Sequence, residues 1–190
     1  LVGLKGELGA RILEEIAASP TKLRDFADPA TDILAKAGCR YVAVTSGVID
    51  EVNRVDSLSG KTNLGVDRGG LYVSFIGSDG VRYYASHLRS IPQSIQPGVE
   101  VKVGRLLGTV GTTGSARGTK PHIHFGLSWS TPPQTWWVRR GMVWPWKYLD
   151  AWKAGKDLSP AKEAASIHDI PQIPIQYNKH VQKWIDYFNG

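Results

Sequence analysis

The sequence predicts a mainly β fold with flanking α-helices, its core an antiparallel sheet or sandwich. Between Cys39 and Val110 the chain is a succession of short β-branched and aromatic runs punctuated by Gly and Asp, the pattern of antiparallel strands joined by tight turns. Gly77-Ser78-Asp79-Gly80 separates two such runs and reads as a hairpin, because glycine supplies the positive φ that tight turns require. At the two ends the period changes to that of a helix, with Leu4, Leu8, Ile12 and Ile16 sharing one face near the start, and Val181, Trp184, Ile185 and Phe188 near the end.

In chain order, the first helical pattern covers residues 3–27 and is broken at Ser19-Pro20, leaving a short helix or turn over Thr21–Ala27. Strands are expected near Arg40–Val44, Gly47–Arg54, Gly70–Ile76, Arg82–Ser86, Glu100–Val103, Leu106–Val110 and His122–Leu127. Pro97-Gly98 and Gly104 mark corners between the later ones. Gly111, Gly114 and Gly118 form a polar loop before Pro121 that can bring backbone amides close to a ligand. That loop lacks the Lys-Ser ending and the following helix of a phosphate-binding loop. Beyond Leu127 the chain turns rich in Trp and Pro; Pro145 opens a short helix carrying Trp146, Leu149 and Trp152. Residues 155–175 read as an irregular connector, and Tyr177–Phe188 as a closing helix. This divides the chain into an N-terminal helical segment (1–24), a core domain (25–152), and a linker with a C-terminal helix (153–190) that leads towards a further domain.

With 190 residues, 42% of them hydrophobic, the chain can bury one sizeable core. A net charge of +6 favours polyanionic surroundings, among them an anionic cell-wall polymer. Nucleic acid is disfavoured: no basic stripe is interleaved with aromatics, and the Trp residues instead concentrate between Trp129 and Trp152, with Trp184 apart. Cys39 is the single cysteine, which excludes an intramolecular disulfide, and its apolar context marks a small buried residue. No run approaches the ~20 apolar residues of a membrane span, and no signal peptide is visible. Leu1 in place of Met is expected of a chain whose targeting segment has been removed.

The chemistry concentrates in Gly111–Phe125, GTTGSARGTKPHIHF. His122 and His124 are expected on opposite faces of their strand with divided labour, one imidazole binding a metal and the other moving protons near neutral pH. His87 ends a strand-like run, VRYYASHL. Asp32 reads either as a site carboxylate or as a cap on a turn or helix after Pro29, and Asp28 as a turn residue before that proline. His168 and His180 are expected to be solvated.

The segments AVTSGVI (43–49), DGVRYYASHL (79–88), PGVEVKVGRLLGTVGTTG (97–114) and GTKPHIHFGL (118–127) resemble the lysostaphin/LytM-type zinc peptidoglycan endopeptidases in content and order. The resemblance covers roughly Asp25 to Trp152. It implies an antiparallel β-sheet groove that grips bacterial wall peptides, and a zinc ion held by an upstream His, an Asp four residues on and the second His of the His-x-His pair. Carried over, His124 and Asp32 are zinc ligands, His122 and His87 are catalytic, and Tyr84 and Gly118 contact substrate. The upstream position is Asp28, where the family has His, so the zinc site is degenerate, with Asp28 or Asp25 as substitute ligand. A site of two carboxylates and one imidazole is harder and less zinc-selective. The resemblance therefore implies an exported envelope domain that binds or remodels peptidoglycan, alone or beside a partner cell-wall hydrolase. Two alternatives stand beside it: an active zinc endopeptidase using the substituted aspartate, and a structural module of an envelope complex or phage particle.

Overall fold

The computed structural model describes residues 29–61, 63–132 and 136–168. The helix expected over 3–27, Asp25, Asp28, the helix expected over 177–188, His180 and the side chain of His168 lie outside the described residues.

Among the described residues nine strands form two antiparallel sheets. They are β1 (Ala30–Leu34), β2 (Arg40–Val42), β3 (Gly47–Asn53), β4 (Tyr72–Gly77), β5 (Val81–Ser86), β6 (Leu88–Ser90), β7 (Glu100–Val101), β8 (Leu106–Val110) and β9 (His122–Trp129). The larger sheet has the order β1-β9-β5-β4-β3-β7 and the smaller β2-β8-β6. The β4–β5 hairpin turns as its sequence requires: Gly80 takes φ 78° and donates to the Gly77 carbonyl, while Asp79 accepts from the Val81 amide and the Tyr83 hydroxyl. Among the described residues three α-helices follow the sheets: α1 (Trp136–Arg139), α2 (Trp146–Lys153) and α3 (Ala161–His168).

Alternation sorts each strand of the large sheet into two faces. Val73, Phe75, Val81, Tyr83, Ala85, Ile123, Phe125 and Leu127 point to one side and form, with Leu88, Leu107 and Val110 of the smaller sheet, the buried apolar core. Trp152 of α2 seals that core, with its ring centroid 6.2 Å from Tyr83 and 6.5 Å from Phe125. The opposite face carries Asp32, Tyr84, Ser86, His122, His124 and Ser128.

Three expectations are corrected. Ala30–Leu34 is a strand rather than a turn or a cap, because β9 offers it a complete antiparallel edge, with Ala30 opposite Gly126 and Leu34 opposite His122. Gly70 stands outside β4, since its φ of 59° breaks an extended run. Within the expected connector over 155–175, residues Ala161–His168 are helical: Ser159 Oγ accepts from the Ala161 amide, Pro160 precedes the first turn, and Ala164 is buried in the core. Cys39 is half-buried and packs against the core. Among the described residues no helix is long and apolar enough to cross a membrane.

Candidate active site

Cross-strand register assembles the site. Asp32 on β1, His124 on β9 and Ser86 on β5 are direct neighbours across three strands, so their side chains share one face of the sheet. His122 lies two residues from His124, and two residues is the full side-chain period of a strand. Both imidazoles therefore reach Asp32: His124 Nδ1 is 3.1 Å from Oδ1 and His122 Nε2 is 3.9 Å from Oδ2. The expectation that the pair divides between opposite faces is wrong for this reason of period.

His87 arrives from the corner between the sheets. It links β5 of the large sheet to β6 of the small one and takes φ 62°, a left-handed conformation that few non-glycine residues adopt. The turn brings its ring to 5.0 Å from His122 and 6.2 Å from His124, centroid to centroid. Its Nδ1 donates to the Thr113 carbonyl at 2.8 Å. Thr113 is itself fixed, because its hydroxyl donates to the Leu88 carbonyl and accepts from the Leu71 amide.

The carbonyl partners settle where each ring carries its proton, since a carbonyl only accepts. His87 and His122 both spend Nδ1–H on carbonyls, those of Thr113 and Lys120, so each neutral ring keeps a lone pair on Nε2. His124 lies between two acceptors: its Nε2 donates to the Arg140 carbonyl at 3.2 Å, and its Nδ1 meets the Asp32 carboxylate at 3.1 Å, donating to it when the ring is protonated and offering a lone pair when the ring is neutral. Two lone pairs 3.1 Å apart repel unless a proton or a metal cation lies with them. Two ligand atoms on one tetrahedral zinc stand about 3.4 Å apart, so the pair suits a shared cation. Among the described residues no group of three or more His, Cys, Asp or Glu could hold a metal.

Burial pushes the His87 imidazole down to about 4, so it is neutral at pH 7; the Thr113 carbonyl opposes that shift. For Asp32, partial burial alone raises the carboxyl pKa, but the hydrogen bond from His124 and the attraction of His124, His122 and His87 in their protonated forms outweigh it, and the net shift is downward. The side chain of Asp32 remains half-exposed.

Asp32, His87, His122 and His124 thus meet in one cleft of about 350 Å³, completed by Ser86, Gly69, Ser115, Ala116, Thr119, Arg68 and Arg140. Tyr84 and Gly118 do not line it. Tyr84 is 2% exposed and lies beneath the floor, its hydroxyl against Gly69 and its ring 6.4 Å from His124. Gly118 is exposed on the preceding loop. Sequence reasoning missed Thr113, Arg68 and Arg140; only Thr113 carried a signal, as part of the Gly-rich run before Pro121.

Three imidazoles and a carboxylate therefore share one cleft on an antiparallel sheet, a set of groups suited to moving protons. The sequence model of peptidase family M23 matches residues 27–135, and the chain belongs to that family. Among solved structures it is similar to the catalytic domain of the antimicrobial peptidase lysostaphin from Staphylococcus simulans, at 26% identity over 64% of this chain and 77% of that one, TM-score 0.48. It is also similar to a point mutant of the catalytic domain of the prophage-encoded M23 protein EnpA from Enterococcus faecalis, at 25% identity over 56% and 73%, TM-score 0.43. A zinc-containing peptidase from Vibrio cholerae is similar at 23% identity over 53% and 26%, TM-score 0.42. No curated protein matches the chain.

Proposed function

We propose that this chain is a metal-dependent peptidase domain acting on the peptides of bacterial peptidoglycan, outside the cytoplasmic membrane. The observation that supports the proposal is the His124–Asp32 pair, a nitrogen and a carboxylate oxygen that a proton or a metal cation bridges, with two further imidazoles turning their Nε2 atoms to the same cleft. Asp32 and His124 would hold zinc, with Asp28 as the substitute third ligand. Zinc, when bound, supplies Lewis acidity and lowers the pKa of water to about 7.

The remaining chemistry falls to the chain itself. His122 Nε2 and His87 Nε2 accept a proton from an attacking water and return it to the leaving amine, and the Nδ1 bonds to fixed carbonyls hold both rings in that tautomer. His87 is neutral at neutral pH, so its lone pair is available there. Buried among protein atoms, both rings act where water is scarce and electrostatic interactions are strengthened.

A second reading is a domain that binds wall peptides, or serves a partner hydrolase, without cutting: with Asp28 where the family has His, the ligand set is harder and favours zinc less. One experiment decides. Purified protein, stripped with chelator and then supplied with zinc, is incubated with isolated peptidoglycan, and released fragments are read by mass spectrometry. The proposal expects zinc-dependent appearance of new peptide ends that His122→Ala abolishes. Sedimentation with peptidoglycan but no cleavage at saturating zinc establishes the second reading instead.

A further inference from the structure

Away from the cleft, the smaller sheet carries charge of a single sign. Its strands and the turns that enter them hold Lys36, Arg40, Arg89, Lys102 and Arg105 and no carboxylate. Glu100, the next acidic residue along the chain, belongs to β7 of the larger sheet. All five cations are exposed, and none pairs with a carboxylate among the described residues. The ion pairs Arg82–Asp50, Arg117–Asp56, Arg139–Glu51 and Lys147–Glu163 lie elsewhere in the fold.

Register turns this charge outward. Arg40 on β2 and Ser90 on β6 both stand opposite Thr109 of β8, so the three share one face of the sheet. The 2.7 Å bond between the Ser90 and Thr109 hydroxyls agrees with that placement. Tyr41, Leu88 and Val110 take the other face and are buried in the core. Arg89 is the extra residue of a bulge, where β6 passes from Leu88 opposite Val110 to Ser90 opposite Thr109. Arg105 leads into β8, and its Nη2 donates to the Ser94 hydroxyl at 2.9 Å, which brings the guanidinium across to the chain leaving β6. With neighbouring strands about 4.8 Å apart, β2 and β6 present their arginines about 10 Å from each other. Each sheet gives its inner side to the core, so this face and the histidine cleft lie on opposite sides of it. A ligand on one leaves the other open.

We infer that the outer face of the smaller sheet docks a linear phosphodiester polymer of the cell wall, holding the domain on the wall while the cleft stays free. The complementarity is one of charge and of donors. Guanidinium forks match phosphate oxygens in pairs, and the hydroxyls of Ser90, Ser94 and Thr109 add donors between them. Nucleic acid carries the same phosphates, but single strands are gripped by exposed aromatics as well as charge, and the one aromatic ring in these three strands, Tyr41, is buried. The choice of a wall polymer rests on the location proposed above, whereas the docking face includes no residue of the cleft.

The test titrates the full chain into end-labelled poly(glycerol phosphate) and reads fluorescence anisotropy at several salt concentrations. Two triple variants remove the same charge from different places: Arg40→Gln with Arg89→Gln and Arg105→Gln on the sheet, and Lys153→Gln with Lys156→Gln and Lys162→Gln away from it, both checked for folding by circular dichroism. The arginine triple should lose at least about tenfold in affinity and flatten the slope of log affinity against log salt by about 2, while the lysine triple loses about twofold or less. If the arginine triple does not fold, each single arginine variant should lose about twofold or more. Equal losses in the two triples show attraction to net charge alone and overturn the inference, as does the absence of wild-type binding at low salt. A single-stranded oligonucleotide with the same number of phosphates that binds as tightly as the polymer, or binding confined to phosphatidylglycerol vesicles, overturns the choice of partner. Because no cleavage is read, a failure of the peptidase reading leaves these outcomes unchanged.

Discussion

Replacing Gly126 by alanine drives a methyl group into the Arg140 carbonyl, and neither side of that contact can move cheaply. Gly126 sits in the middle of the large sheet, paired with Ala30 on one side and Tyr84 on the other. The Arg140 segment must therefore lift. Lifting breaks the His124 Nε2 bond to the Arg140 carbonyl and the Met142 and Val143 bonds to the Leu127 carbonyl. At about 1 kcal/mol for each net hydrogen bond, the three together cost about 3 kcal/mol, the upper end of the usual overpacking penalty. For a domain of this size that lowers Tm by about 9 °C. Urea denaturation of wild-type and Gly126→Ala protein, followed by Trp fluorescence, measures the loss. Limited proteolysis should then cut first within 131–143. A loss below about 1 kcal/mol with an unchanged cleavage pattern would refute the argument that this segment is pinned over the sheet.

Two further outcomes follow from the electrostatics of the site and its supporting loop. Because burial holds His87 near 4 in the folded protein against about 6.5 when unfolded, the unfolded state binds the extra proton between those values, and stability falls as pH drops through that window. In chelated protein the loss from pH 7 to pH 5 is about 2 kcal/mol, read as a shift of the urea midpoint. His87→Asn, which tolerates the left-handed backbone, should flatten it; an unchanged pH slope in that variant would count against the assignment. Asp56 accepts from the Gly114 amide and from Arg117 Nε, each at 3.0 Å, and these bonds overcome its burial to lower its carboxyl pKa. Its contribution is present above the unfolded value and is lost as pH falls through the folded one. Asp56→Ala should cost about 2 kcal/mol and speed hydrogen exchange at Gly114, whereas protection equal to wild type would show that the loop holds without it.

Local pattern made much of this legible. The hairpin at 77–80, the strand bearing the histidine pair and the helix opened by Pro145 all rest on short-range signals, namely turn glycines, alternation and a proline start. What escaped depends on partners distant in sequence. Residues 30–34 carry no clear strand signature of their own, since Ala-Thr-Asp-Ile-Leu alternates poorly; the unpaired edge of β9, about ninety residues on, makes them a strand. Arg68 and Arg140 reach the cleft through a shared carbonyl at Gly65, a contact that no spacing rule contains. Ala161–His168 is too short to announce itself by periodicity, and it is stabilised by what Ala164 buries. The side-chain period, by contrast, was available from the sequence, and it places His122 and His124 together without further information.

If the site holds zinc as proposed, the position that decides its chemistry is Asp28, just before β1. Asp32 is fixed by its place opposite His124 on the edge strand β1, and on the proposed reading the third ligand is Asp28, four residues before it. An imidazole there gives two nitrogen donors and one carboxylate; Asp28 gives one nitrogen and two carboxylates, a harder set that favours zinc less strongly over manganese or magnesium. It also adds a negative charge, which weakens the cation's pull on a bound water. Asp28→His should therefore tighten zinc binding by at least about tenfold, measured by competition with a chromogenic chelator, and should raise the rate of any zinc-dependent peptide cleavage. The same change should leave manganese affinity level or lower. If zinc affinity does not respond, Asp28 is not a ligand, and the cation at His124 and Asp32 is completed by some other group.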